Sequence, residues 1–190
     1  MSYREFFFTY RSYTPIPLLL AALIFARPTA ASFLIGLLIA VMGESIRIWA
    51  VRYAGSATRT TGEVGADDLV TNGPYGYVRN PLYIGNFFIS FGVLIMTWAL
   101  MPWLLIVYLV LFFFQYSAII SLEEDFLKKK FSDQYAEYMR NVPRIIPRLT
   151  PWGRGDRQPT SLARALRTER RTLQSFSIVV LLVALRWILS

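Results

Sequence analysis

The sequence predicts an all-α fold: a polytopic transmembrane helical bundle of about five spans with a cytoplasmic C-terminal amphipathic helix region. Three observations carry that expectation. Hydrophobic residues fill 55% of the 190 positions and aromatic residues 16%, with a mean hydropathy of +0.41, and a soluble domain of this size carries more charge and shorter apolar runs. Several stretches approach the roughly 20 apolar residues that cross a bilayer. The cations fall mostly between those stretches. One domain over 1–190 accommodates them all.

The first stretch, Pro15 to Ala26, is apolar but short. Phe6, Phe7 and Phe8 extend it upstream, and Pro15 and Pro17 kink it. No small-residue cleavage pattern marks it as a removable signal peptide. The second span runs from about Ala30 to Val51 and the third from about Leu82 to Met101. Pro102 then permits a tight turn into a fourth, Trp103 to about Leu122. From Leu122 to Met139 the residues Leu122, Phe126, Phe131, Tyr135, Tyr138 and Met139 recur at helical spacing, which predicts an amphipathic helix. Pro143 ends it, and Pro147 and Pro151 keep the following chain extended. Residues 153–172 are rich in arginine and read as a surface helix or a lipid-facing linker without a catalytic part. Leu173 to Leu189 is the last span.

Charge orients these elements. The turn Thr97–Trp103 carries no charge, whereas Glu123–Thr172 holds Lys128, Lys129, Lys130 and nine arginines. Arg52, Arg59 and Arg79 lie between spans two and three, and Arg4 and Arg11 precede the first. The positive-inside bias places those regions in the cytoplasm. The formal charge of +8 thus reads as attraction to anionic lipid, not to nucleic acid. The loop Tyr53–Arg79, with Gly55, Gly62, Gly65 and Gly73, is long enough to suggest function.

Composition removes several chemistries. Without cysteine or histidine there is no disulfide, thiol nucleophile, imidazole base or common zinc cluster, and no metal is expected. GxGxxG after a strand, the P-loop and GxSxG are all missing. What remains is concentrated in three places. Glu44 and Arg47 share a face inside the second span, where ionisable groups are costly and face a partner or a cavity. They read either as an ion pair snorkelling to the interface or as an arginine aimed at an anionic substrate. Asn80-Pro81 opens the third span as an N-cap followed by a favoured N1 proline, with Arg79 before it, Tyr83 one turn in and Gly85 allowing close approach. A helix start of this kind also attracts carboxylates and phosphates. Glu123, Glu124 and Asp125 leave the fourth span, where they either suit a helix dipole or turn a carboxylate into a pocket. Tyr75 and Tyr77, beside Gly73-Pro74, read as interfacial aromatics or as pocket wall.

Taken in order, Gly43-Glu44 with Arg47, LVTNGPYGYVRNPLYIG at 69–85, and Glu123-Glu124 followed by Phe131, Tyr135, Tyr138 and Val142-Pro143 resemble the integral-membrane methyltransferases. That family includes the isoprenylcysteine carboxyl methyltransferases and the phospholipid N-methyltransferases. The likeness covers about residues 43–147 and leaves 173–189 as an extra transmembrane helix. It implies an enzyme that binds S-adenosylmethionine on the cytoplasmic side and methylates a lipidic acceptor from the bilayer, with no obligate protein partner. By matched position Asp68, Leu69, Val70, Tyr75, Asn80, Pro81, Leu82 and Tyr83 would line the cofactor, and Glu123 and Glu124 would complete that wall. Arg47, Glu44 and Arg79 would serve the acceptor. The chain departs from the family where its usual histidine is Asn80, where Phe-Gly becomes Phe131-Ser132, and where Ile119 replaces an acceptor-contacting arginine. Without histidine, a carboxylate acceptor that needs no base is favoured slightly. Phospholipid or other amine N-methylation, with Glu44 or Glu123 as base, is the alternative. An NADPH-dependent reductase related to the sterol reductases is another, although Leu82 and Asn86 break its usual pattern. A third reading is a non-catalytic membrane protein that keeps the motif as packing and caps.

Overall fold

In the computed structural model the described residues are 1–55, 68–153 and 155–189. Arg59, Gly62 and Gly65 of the predicted loop lie outside them. Among the described residues every long element is a helix: α1 (Tyr3–Thr9), α2 (Ile16–Ile24), α3 (Ala30–Ala54), α4 (Pro81–Thr97), α5 (Trp103–Asn141) and α6 (Leu162–Ile188), with a short 3-10 turn at Gly73–Gly76. Three of these, α3, α5 and α6, are long and apolar enough to cross a membrane. At 17 residues α4 is shorter. It rises about 25 Å against a hydrocarbon core of about 30 Å.

The first predicted span is not one kinked helix. It is two short helices separated by turns at residues 10–15, because Pro15 and Pro17 cannot donate into a continuous ladder. The pair still follows α5 along its apolar length. Arg4 bonds Asp125 at 2.7 Å, Phe7 meets Phe114 edge-on, and Ala22 joins Leu94, Ala99, Leu104 and Tyr108 in a core at the far end. That far end, around the 98–102 turn, is here called the turn end, and the opposite one the charged end.

A small-residue seam joins α3 to α4. A β-carbon on Gly92 would lie 2.6 Å from the Gly36 carbonyl and the Ala40 amide nitrogen, and one on Gly43 would lie 2.7 Å from the Gly85 carbonyl. Lipid tails are as apolar as leucine, so helices in a bilayer associate by such close packing. Outward residues such as Leu38, Val110 and Leu181 are exposed and form the expected lipid-facing surface.

Three further expectations change. The fourth span does not end at Leu122 but runs on to Phe131, and Ser132 (φ 40, ψ −111) breaks α5 there into two helical parts. Glu123–Asp125 therefore stand mid-helix, with no helix start there for their charge to complement. Asn80 precedes Pro81 as predicted, but its side chain makes no cap. Its amide donates to the Arg144 carbonyl at 3.1 Å instead. Finally, 162–172 are the first turns of α6, continuous with the last span.

Candidate active site

The charged end is closed by two segments folded onto each other. Gly73 adopts a positive φ of 58, a conformation open to glycine, with the Tyr53 ring packed where a β-carbon would sit. The turn it starts places Tyr75 inward. The chain after α5 then runs back across this turn: Arg79 N donates to the Pro143 carbonyl (2.9 Å), Arg148 N to Tyr77 (2.9 Å) and Trp152 N to Gly76 (2.9 Å). Tyr138 Oη donates to the Tyr75 carbonyl at 2.7 Å. Tyr135, Tyr138 and Val142 form the core beneath, with Leu69, Phe131 and Trp152 against it.

Glu124 fixes this arrangement. Its buried carboxylate accepts from Arg79 Nη2 (2.9 Å) and Nε (3.2 Å), and from Arg144 Nε (3.2 Å) and Nη2. The rest of the Arg79 guanidinium donates to the carbonyls of Met139 (3.1 Å) and Val142 (2.6 Å). Arg79 was expected to aim an acceptor. It lines the polar cavity at this end, and there its donors bond Glu124 and two carbonyls, so it clamps the two segments together.

Between these segments lies a cavity of about 340 Å³. Of the residues expected at a cofactor, Asp68, Leu69, Val70, Tyr75, Asn80, Glu123 and Glu124 line it, while Pro81, Leu82 and Tyr83 stand outside its lining. Pro81 is fully buried. Tyr83 acts through a neighbour, donating its hydroxyl to Glu123 Oε1 at 2.6 Å. Burial raises the Tyr75 phenol, and the Glu123 charge pushes it further up, so Tyr75 stays neutral in the physiological range.

The sequence reading missed the third side of this cavity. Arg157, Thr160 and Arg164 line it from the stretch read as a surface helix or a lipid-facing linker without a catalytic part. Arg157 approaches Asp68 at 3.6 Å, and Thr160 exchanges hydrogen bonds with Arg52 at 2.7 and 3.0 Å. Pro159 followed by Thr160-Ser161 ahead of a periodic run was the available signal for a helix start. Ser161 does cap α6 through its side chain.

A second cavity, about 240 Å³ and almost wholly apolar, lies further into the bundle between α2, α4, α5 and α6. Leu18, Val93, Tyr108, Phe112 and Phe176 contribute to it, with Gln115, Tyr116 and Thr172 among its polar liners. One set of side chains stands between the two cavities. Tyr116 lines the apolar one, its ring lies 4.9 Å from that of Tyr83, and Tyr83 holds Glu123 of the polar one.

Glu44 and Arg47 lie in the linings of neither cavity. Arg47 instead anchors a buried network beside that partition. Its Nη2 donates to Glu169 at 2.6 Å and its Nε at 3.2 Å, its Nη1 donates to Asn86 Oδ1, and Glu44 approaches at 3.8 Å. Asn86 in turn donates to Tyr116 Oη at 3.0 Å. Gly85 makes the room, because a β-carbon there would strike the Arg47 side chain. Glu169, 1% exposed, was not anticipated. It is the sole acidic residue between Arg157 and Leu189, and that isolation among arginines was its visible mark.

The family described as phospholipid methyltransferase matches residues 31–134, more than half of the chain. The protein belongs to this family. Among curated relatives, the nickel-cobalt-cadmium resistance protein NccN of Alcaligenes xylosoxydans xylosoxydans is 31% identical over 64% of this chain and 53% of its own length. The cobalt-zinc-cadmium resistance protein CzcN of Cupriavidus metallidurans is 33% identical over 62% of this chain and 48% of its own. A protein-S-isoprenylcysteine O-methyltransferase of Tribolium castaneum is 33% identical over 60% of this chain and 41% of its own. The chain thus spans about half the length of the relatives it matches. No solved structure matches it. In this family member the matched segment runs from α3 to the kink of α5. The α1–α2 pair and α6 lie outside it.

Proposed function

We propose that this family member transfers a methyl group from S-adenosylmethionine to a lipidic acceptor, in the manner of the isoprenylcysteine carboxyl methyltransferases, with a carboxylate oxygen as the receiving atom. The observation that carries the reading is the pair of cavities that face each other across Tyr116, Tyr83 and Glu123 in a chain of this family. One cavity has the chemistry of a polar nucleoside and the other that of a hydrocarbon tail, and the reacting groups of such substrates must meet between them.

The charged-end cavity offers what an adenosine with an amino-acid tail requires. Tyr75, Tyr135 and Tyr138 give apolar ring surface, Glu123 and Asp68 accept from hydroxyl or ammonium groups, and Arg157 and the Asn80 amide donate. Bound there, S-adenosylmethionine would supply a methyl on a cationic sulfur, whose bonding pair returns to sulfur as an acceptor oxygen bonds the carbon. The protein's own part is chiefly positioning. Glu123, fixed by Tyr83, holds one side of the cofactor. Arg47, held by Glu169 and Asn86 beside the partition and outside both linings, biases the acceptor carboxylate through its positive charge from the other. Exclusion of bulk water strengthens each of these electrostatic contacts. A carboxylate is ionised at neutral pH, so no general base is needed.

The tail would occupy the apolar cavity, entering from the bilayer. We place the arginine-rich charged end in the cytoplasm, the α1–α2 pair as a broken first crossing, and five crossings in all for this integral-membrane protein. The test is incubation of the purified protein with methyl-labelled S-adenosylmethionine and, separately, S-farnesyl cysteine and a total lipid extract. A labelled, base-labile methyl ester is the expected product. Base-stable N-methyl product would move the acceptor to an amine lipid. Binding of NADPH in place of S-adenosylmethionine by calorimetry would overturn the reading in favour of a reductase.

A further inference from the structure

We propose that α6 is the acceptor-specificity element of this protein, one helix face that both steadies Arg47 and measures the acceptor's tail. The inference rests on the methyl-transfer reading above. It starts from a mismatch: the family segment stops at residue 134, yet a side chain from residue 169 completes the arginine network inside that segment.

Glu169, Thr172, Phe176 and Val179 recur at intervals of three and four residues, so they form one stripe on α6. Its upper member grips Arg47, and the lower three line the apolar cavity. From Glu169 to Val179 is ten residues, about 15 Å of helix rise. The face therefore runs from the arginine end of the acceptor site down along the tail. The helix is tied to α3 at two heights: Glu169 bonds Arg47, and Trp187 stacks on Phe33 near the turn end. A helix anchored at two heights fixes its stripe in place. The arginine clamp and Val179 in the lining of the tail cavity are thus set a constant distance apart.

Two consequences follow. Glu169 is a positioning residue, acting through Arg47 without touching substrate. Val179 is the member of the stripe farthest from Glu169 and lines the apolar cavity, so it is the α6 position at which side-chain bulk would shorten the space for a tail.

The experiment uses the full chain in nanodiscs, with S-geranyl, S-farnesyl and S-geranylgeranyl cysteine as acceptors. Turnover is normalised to the molecules that bind S-adenosylmethionine in calorimetry, and acceptor binding is followed by native mass spectrometry. Glu169→Gln is expected to lower kcat at least tenfold with every tail while cofactor affinity stays within twofold, and Glu169→Asp to recover part of that loss. A role in folding alone would reduce the count of cofactor-binding molecules but leave kcat per such molecule unchanged, and that result would overturn the clamp. Val179→Phe is expected to shift the kcat/KM ratio of geranyl over geranylgeranyl cysteine at least tenfold, with a parallel shift in binding. An unchanged ratio, with wild-type protein active, would overturn the ruler and leave the methyl-transfer reading standing. Wild-type protein that methylates none of the three and no lipid extract overturns both.

Discussion

The two cavities of this protein are built in opposite ways. The polar one at the charged end draws mostly on residues that sit in short runs of sequence: Asp68 to Asn80, Glu123 to Tyr138, and Arg157 to Arg164 on the third side. The apolar one collects single side chains from α2, α4, α5 and α6. The first is held by named polar bonds, above all Glu124 with its two arginines. The second is held by helix packing, including the glycine seam of α3 and α4. Polar bonds have directions and fixed partners, so a polar site leaves a local motif. Dispersion contacts have neither, so an apolar site leaves no motif at all. The comparison also separates tasks: damage to the first cavity should weaken cofactor binding, and damage beside the second should weaken acceptor use.

The sharpest way to break that division is Glu124→Ala. Removing the carboxylate strands two guanidinium groups at the charged end, a loss of about 3–5 kcal/mol for a buried pair. Thermal melting in detergent should fall steeply, and S-adenosylmethionine binding should disappear with it. Next is Arg47→Ala, which lies beside the partition and off both cavities. A charged hydrogen-bonding group of this kind is worth about 2–3 kcal/mol. Methyl transfer should therefore drop roughly 30-fold or more while the calorimetric affinity for the cofactor stays within about twofold. Loss of cofactor binding as the first effect would show that Arg47 belongs to the polar cavity after all.

Tyr83→Phe is milder and more local. It removes one hydrogen bond to Glu123, about 1 to 1.5 kcal/mol, so cofactor affinity should weaken roughly tenfold with little change in acceptor KM. The smallest effect concerns the kink. Ser132 is held at φ 40, where a side chain is strained and glycine is not. Ser132→Gly should raise stability by about 1 kcal/mol, seen as a rise of a few degrees in melting temperature at unchanged turnover. A fall would mean that the serine side chain, not the backbone, holds the bend. The family resemblance carries glycine at this position, and the backbone conformation gives the physical reason for it.

Reading the sequence went furthest where chemistry is contiguous. Segment α3 and the apolar part of α5 were legible from run length, because bilayer thickness sets the length of a crossing helix, whereas α4 was legible as a helix but ends at Thr97, four residues before the expected Met101. The polar cavity was largely legible too, since Asn80-Pro81, Tyr75 and Glu123-Glu124 cluster conspicuously. Less legible were the ends and joins. Residues 122–139 carry a new periodicity, but nothing local breaks the helix before Ser132, so the boundary falls there and not at Leu122. The 162–172 turns look like surface because their arginines are conspicuous and the single Glu169 is not.

Composition and hydropathy by themselves determined that the chain folds as membrane-length helices, and that its ionisable chemistry gathers at one end of them. Those are properties of segments, set by solvent and length. Tertiary structure alone decided that Arg79 clamps Glu124, that Arg47 is held by a glutamate 122 residues away, and that four helices enclose an apolar cavity. The reason is that a buried charge takes its partner from whatever backbone packing brings within about 3 Å. No pattern along the chain records that distance.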